Sequence, residues 1–170
     1  MASNISHWAP TVGMGQRTIK QCWFASYKMI YWSKGKNIDS IEGKVASVID
    51  FDDAMKRGLY DTDFRKVATA LGTRQWSGVK YKKPHGTFDV GLTDGTEAFL
   101  ELLEKGPLWV SRFMKAGSYH ITVAKRYDDT GKGYIHYNNP FPGPKHAVEH
   151  KMVANLYTRH ITNAMGSIQR

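Results

Sequence analysis

Cysteine is almost absent: Cys22 stands alone in 170 residues. A single thiol excludes an intrachain disulfide and fits a chain that works in a reducing compartment. Long apolar runs are missing as well. No stretch approaches the roughly 20 residues that a membrane-spanning helix needs, and the first twenty residues lack the apolar core of a secretory signal. No obvious pro-segment stands ahead of Cys22, so the expectation is a ready-made domain. No internal repeat or low-complexity segment interrupts it. Acidic residues are scarce: 15 against 24 Lys and Arg, for a formal charge of +9. A positive field steers a protein toward acidic protein surfaces, nucleic acid or anionic envelope polymers, although charge also serves plain solubility. The cations Lys34, Lys36, Lys44, Lys56, Arg57, Lys80, Lys82 and Lys83 are dispersed. With no zinc-finger spacing, helix-turn-helix pattern or RNA-recognition signature, nucleic acid is not an expected partner.

What remains is an ordinary globular composition, 41% apolar and 23% charged, which predicts one domain over 1–170 with its own core and no large disordered part. Residues 1–15 read as an extended lead-in. Residues 22–32 are so densely apolar and aromatic that a buried helix is predicted, stopped by Gly35. Asp39 or Ser40 opens a second helix to about Ile49, with Ile41, Val45 and Val48 on one face. Thr62 or Asp63 caps a third, carrying Phe64, Val67, Ala68 and Leu71 up to Gly72. Asp94 or Thr96 caps a fourth, with Phe99, Leu102 and Leu103 inward and Gly106-Pro107 at its end. The period then changes. Residues 108–113, 119–127 and 134–137 read as strands, the last two joined by the turn Asp128-Asp129-Thr130-Gly131-Lys132-Gly133. Residues 142–149 read as a loop and its exit. Val153, Leu156 and Tyr157 suit a helix, and 161–170 reads as a fraying tail. Helices first and antiparallel strands second predict an α+β fold, with the helical half packed on the sheet half.

Cys22 sits at the start of the first helix, six positions after Gln16 and directly before Trp23. His120 and Asn139 follow downstream. A thiol, an imidazole and an amide in that order are the parts of a cysteine nucleophile site. The positive end of the helix dipole and a neighbouring imidazolium would both stabilise thiolate. Each residue alone also has a plain structural reading: Cys22 as a small buried hydrophobe, His120 as a sheet histidine, Asn139 as turn chemistry before Pro140. Together with Gln16 and Trp23 the catalytic reading is preferred.

Gln16 with Cys22-Trp23 resembles the signature around the nucleophile of papain-like cysteine peptidases. The run Gln21-Cys22-Trp23-Phe24-Ala25-Ser26 is similar to the helix start of compact bacterial members, among them secreted effector proteases and bacteriocin-leader peptidases. Gly106-Pro107-Leu108-Trp109-Val110 resembles the strand before their histidine hairpin, and Asn139-Pro140-Phe141 resembles the element that orients the histidine and shields it with an aromatic. The resemblance implies a papain-like fold in which Cys22 attacks, His120 shuttles the proton, Asn139 orients His120 and Gln16 supports the oxyanion. Asn138 adjoins Asn139, so the third residue is one of two. Trp23, Tyr119 and Phe141 are the expected substrate contacts, though Trp23 and Tyr119 equally suit a core. The chain departs from plant-type papains in lacking a second cysteine before Cys22 and in its shorter Cys–His distance. The resemblance implies no metal and no organic cofactor. It further implies delivery by a secretion system into a target cell, action on a protein substrate and blockage by a cognate immunity protein; the charge of +9 suits a substrate with an acidic surface, and a monomer is expected.

Three other readings compete. A peptidoglycan amidase also uses a Cys/His pair, and a basic domain is drawn to the anionic envelope. His146-Ala147-Val148-Glu149-His150 matches the inverted zincin pattern, in which both histidines share a helix face. It follows a Pro/Gly loop, no carboxylate comes after Glu149, and His160 is the only nearby substitute ligand. A non-enzymatic module with a papain-like shell is the third, against which the full set of Gln16, Cys22, His120 and Asn139 argues.

Overall fold

The computed structural model describes residues 13–76, 96–114, 119–141, 148–158 and 161–168. Four helices come first: α1 (Cys22–Ser33), α2 (Ser40–Ala46), α3 (Phe51–Arg57) and α4 (Asp61–Ala70). A short strand β1 (Thr73–Trp76) and helix α5 (Thr96–Glu104) follow. Then come β2 (Leu108–Phe113), β3 (Tyr119–Asp128), β4 (Tyr134–Asn139), β5 (Val148–Val153), α6 (Ala154–Thr158) and β6 (Ile161–Ile168). The six strands form one antiparallel sheet in the order β1-β6-β2-β3-β4-β5. The α+β expectation is met. No described helix is long and apolar enough to cross a membrane.

α1 is buried on most of its circumference, through Cys22, Trp23, Ala25, Ser26, Tyr27, Met29, Ile30 and Tyr31. A helix apolar all round belongs in an interior, and α1 is the centre of the first core. There it meets Ile41 and Val45 of α2, Ala54 of α3, and Phe64, Val67 and Ala68 of α4. Trp109, Ile121, Val123 and Met165 close that core from the sheet. Residues alternate faces along a strand, so their neighbours point the other way. Leu108, Val110, Ala124, Ile135, Tyr137 and Ile161 pack with Phe99, Leu102 and Leu103 of α5 and Ala154 and Tyr157 of α6 in a second core. Helices thus cover both faces of the sheet.

Trp109 ties the layers together. It is fully buried and lies opposite Val123 on β3 and Met165 on β6. Its ring meets Phe64 edge-on at 5.0 Å and Tyr27 at 5.5 Å, and its Nε1 donates to the Trp23 carbonyl of α1 at 3.1 Å.

Several elements differ from the expectations. α2 ends at Ala46, and Val48 is exposed beyond it. α3 was not expected, yet it has its own start and stop. Asp50 accepts from the Asp53 N–H at 2.9 Å, acids occupy the first turn and Lys56 and Arg57 the last, which complements the helix dipole. It stops at Gly58, whose φ of 96° and ψ of 165° are open only to glycine. α4 starts at Asp61, so Thr62 and Asp63 fall inside its first turn rather than at its cap. α5 begins at Thr96; Asp94 lies outside the described residues. β1 and β5 are additional strands. The fraying tail is overturned: Ile161–Ile168 pair with β1 on one side and β2 on the other, inside the sheet. Most of the lead-in, 1–12, lies outside the described residues.

The described part of the inverted zincin pattern, Val148-Glu149-His150, lies in a strand and not in a helix. Glu149 and His150 are consecutive residues of β5 and so point to opposite faces. Glu149 pairs with Lys125 and His136, and His150 stacks on Tyr137 at 5.6 Å. His146 and His160 lie outside the described residues. Among the described residues no group of three or more metal-ligating side chains converges.

Candidate active site

A cleft of about 480 Å³ opens between the helical layer and one end of the sheet. Ile19, Lys20, Cys22, Trp23, Arg57, Gly58, Leu59 and Phe64 line it from the helical side. Met114, Tyr119, His120, Ile121, Asn139 and Phe141 line it from the strands. Cys22, His120 and Asn139, more than a hundred residues apart at the extremes, thus share one cavity.

Cys22 is the first residue of α1. The start of this helix carries no acidic side chain, and Gln21 does not cap it through its side chain, so the first-turn N–H groups keep their positive end free. Cys22 is buried, 8% exposed as a residue. Its burial pushes the thiol pKa up; the backbone N–H groups of Ile121, Trp23 and Cys22 itself pull it down, as does the charge of Lys20. Burial dominates.

His120 is the second residue of β3, and its Nε2 lies 2.7 Å from Asn139 Oδ1 on β4. The Phe141 N–H donates to the same oxygen at 3.1 Å. An N–H can only donate, so this second bond fixes which end of the amide faces the ring. Nε2 then carries the hydrogen, and a neutral ring presents Nδ1 as a bare lone pair. Burial lowers the His120 pKa, the Asn139 bond opposes that, and Arg112 adds to the lowering by repulsion. Arg112 stands directly opposite His120 in the β2–β3 register.

These directions run against the expected thiolate–imidazolium pair. Burial favours the neutral form of both groups. Among the described residues the ring bonds to Asn139 and the sulfur to backbone amides, with no hydrogen bond between the two side chains.

Strand parity separates the two asparagines. Asn138 points away from His120, is buried, and reaches Met29 Sδ of α1 at 3.7 Å. Phe141 stands edge-on to the His120 ring with centroids 6.3 Å apart and is 56% exposed. Tyr119 is 45% exposed at the cleft rim, packed edge-on against Phe113. Trp23 is a core residue: it is 1% exposed, and its Nε1 donates to the Ala54 carbonyl at 3.3 Å.

Gln16 is not among the residues that line this cleft. It is buried, its N–H donates to the Pro140 carbonyl beside Asn139 at 2.9 Å, and its Nε2 donates to the Thr18 carbonyl at 2.9 Å. It lines a second cavity with Phe24, Ala25 and Lys28. An amide nitrogen has two protons, and the bond to Thr18 uses one of them. Three further groups act on Cys22 and His120 that the motifs do not mark: Arg112, Lys20 and the Ile121 N–H. The first and third become visible only once the β2–β3 register is set; Lys20 sits two positions before Cys22 and could have been found.

No curated protein matches the chain. One family does, described as papain-like cysteine protease AvrRpt2, over residues 6–158 and hence nearly the whole length. With its mixed helices and antiparallel sheet, the chain belongs to this family of papain-like cysteine peptidases.

Proposed function

We propose that the chain is a cysteine endopeptidase that cuts protein substrates with Cys22, His120 and Asn139. The observation that carries this is the 2.7 Å contact from Asn139 Oδ1 to His120 Nε2 in the cleft that also holds Cys22. It leaves Nδ1 of a neutral ring as a base. The sulfur attacks the peptide carbonyl while its proton passes to Nδ1. His120 then returns that proton to the departing amine, leaving an acyl thioester. Water, deprotonated by the same nitrogen, releases the acid. The Cys22 N–H and the second amide proton of Gln16 stabilise the oxyanion. Phe141 screens the His120–Asn139 bond from water.

Gln16→Ala is expected to lower kcat by about 10²–10³, the usual cost of one oxyanion donor. Unchanged kcat would leave that task to the backbone alone.

The biological setting follows from the resemblance to compact bacterial members: an effector or toxin delivered into a target cell and neutralised by an immunity protein. The charge of +9 suits an acidic substrate surface. One experiment tests both levels. Wild type and Cys22→Ala are expressed in a bacterial cytoplasm, and growth and new protein N-termini are measured. New termini that require Cys22 are expected, with slowed growth. Identical termini in both strains and in a purified-protein digest would remove the peptidase; cleavage without a growth defect would remove only the toxin role.

A further inference from the structure

Among the described residues, one lysine and one arginine line the cleft, Lys20 and Arg57, and no carboxylate does. Their situations differ. Arg57 is committed to the fold: it is paired with Asp53, its Nη2 is 3.8 Å from Asp63, its Nη1 donates to the Gly58 carbonyl at 2.9 Å, and its guanidinium lies 3.5 Å over the Tyr60 ring. Lys20 is exposed and pairs with no described carboxylate. Its stem lies along the glycine that ends α3: a Cβ on Gly58 would sit 3.9 Å from the Lys20 Cδ. That contact puts the Lys20 stem beside the end of α3, on the cleft that also holds Cys22. The surroundings are apolar, with Ile19, Leu59 and Met114 on the same cavity, and a charge beside low-dielectric walls acts more strongly than one in open water.

We propose that Lys20 is a specificity-determining residue that selects substrates with an Asp or Glu side chain close to the bond being cut. The inference rests on the peptidase reading above and names its substrate class. Among the described residues that line the cleft, an entering carboxylate finds one cation without a carboxylate partner, Lys20, and no acidic side chain. A basic side chain finds the reverse. The same cation lies near enough to the sulfur to lower the thiol pKa, so substrate selection and thiol reactivity meet at one residue. The contact is made alike in the bound substrate and the transition state, so its effect falls on KM rather than kcat.

The test uses paired peptides that differ only as Glu/Gln or Asp/Asn at each position flanking the scissile bond. Wild type is expected to prefer the acidic member by roughly two- to fivefold in kcat/KM at one or more positions, the range of an exposed ion pair. The preference fades in high salt. It falls to unity in Lys20→Gln, reverses in Lys20→Glu and returns in Lys20→Arg. Ratios within one variant cancel any general change in activity. A second readout needs no hydrolysis: the rate of Cys22 alkylation by anionic iodoacetate relative to neutral iodoacetamide at one pH. This ratio cancels the thiolate fraction and is expected to drop severalfold in Lys20→Gln. Hydrolysis with no acidic preference, or a preference untouched by Lys20→Gln, overturns the proposal alone. A Lys20-dependent alkylation ratio with no hydrolysis of any peptide overturns the peptidase reading and the substrate assignment with it.

Discussion

His120→Ala and Cys22→Ala should each lower kcat by on the order of 10⁶, as removal of the nucleophile or its base does in serine hydrolases, and the double variant should be little worse. Non-additivity is the diagnostic part, because the two side chains act in one proton transfer. The pH profile distinguishes how they rest. His120 is held below its ordinary value by burial. As pH falls through that lowered value the ring gains a proton and Nδ1 ceases to be a base. The acid limb of kcat/KM is therefore expected below about pH 6.5, the ordinary imidazole value. The thiol is held above its ordinary value by burial. The alkaline limb thus lies beyond the ordinary thiol range, where the deprotonated pair has no proton left for the leaving amine. A resting thiolate–imidazolium pair would behave differently: iodoacetamide would alkylate the free enzyme quickly at pH 5. Slow alkylation there, rising steeply toward alkaline pH, is the expected result, and fast alkylation at pH 5 that disappears in His120→Ala would refute the neutral resting pair.

Trp109→Ala should destabilise the protein by about 3–5 kcal/mol, the cost of removing a large buried aromatic. The residue is fully buried, holds edge contact with Phe64, and closes the first core between Val123 and Met165. It also leaves the Trp23 carbonyl without its indole donor. Trp109→Phe keeps most of the ring and isolates that bond, so a smaller loss of about 0.5–1.5 kcal/mol is expected. Urea unfolding reads both: the midpoint should fall while the slope stays constant. Equal losses in the two variants would show that the bond, not the ring volume, joins α1 to β2. Because Trp23 follows Cys22 in the chain, residual native Trp109→Phe should also lose activity if this contact sets the position of the thiol.

The elements visible in the sequence were those with a local pattern. α1, α4 and α5 have dense or periodic apolar residues, and β2, β3 and β4 carry Leu108 to Phe113, Tyr119 to Asp128 and Tyr134 to Asn139, rich in branched and aromatic side chains. The elements that escaped take their identity from partners. β5 is an edge strand whose Val148, Glu149, His150 and Lys151 are all exposed, so it has no alternation to read. β6 contains Asn163, Ala164, Gly166 and Ser167, poor strand formers by composition, and is a strand because β1 and β2 flank it. α3 is seven residues long, too short for periodicity, though Asp50 and Gly58 mark its two ends. At the site, Cys22, His120 and Asn139 were legible as residue types in order. The choice of Asn139 over Asn138 required the parity of a paired strand. The charge state of the thiol required its depth of burial, which depends on how α1 meets β3.

The sheet is finished by residues made late. β6, at 161–168, slots between β1 at 73–76 and β2 at 108–113. Until it arrives, those two strands have no partner on the sides that will face each other, and pairings of such sequence separation are slow to close. A ribosome must have passed residue 168 before this half of the sheet can be sealed. A chain halted short of residue 161 would expose two bare backbone edges, open to pairing with other chains.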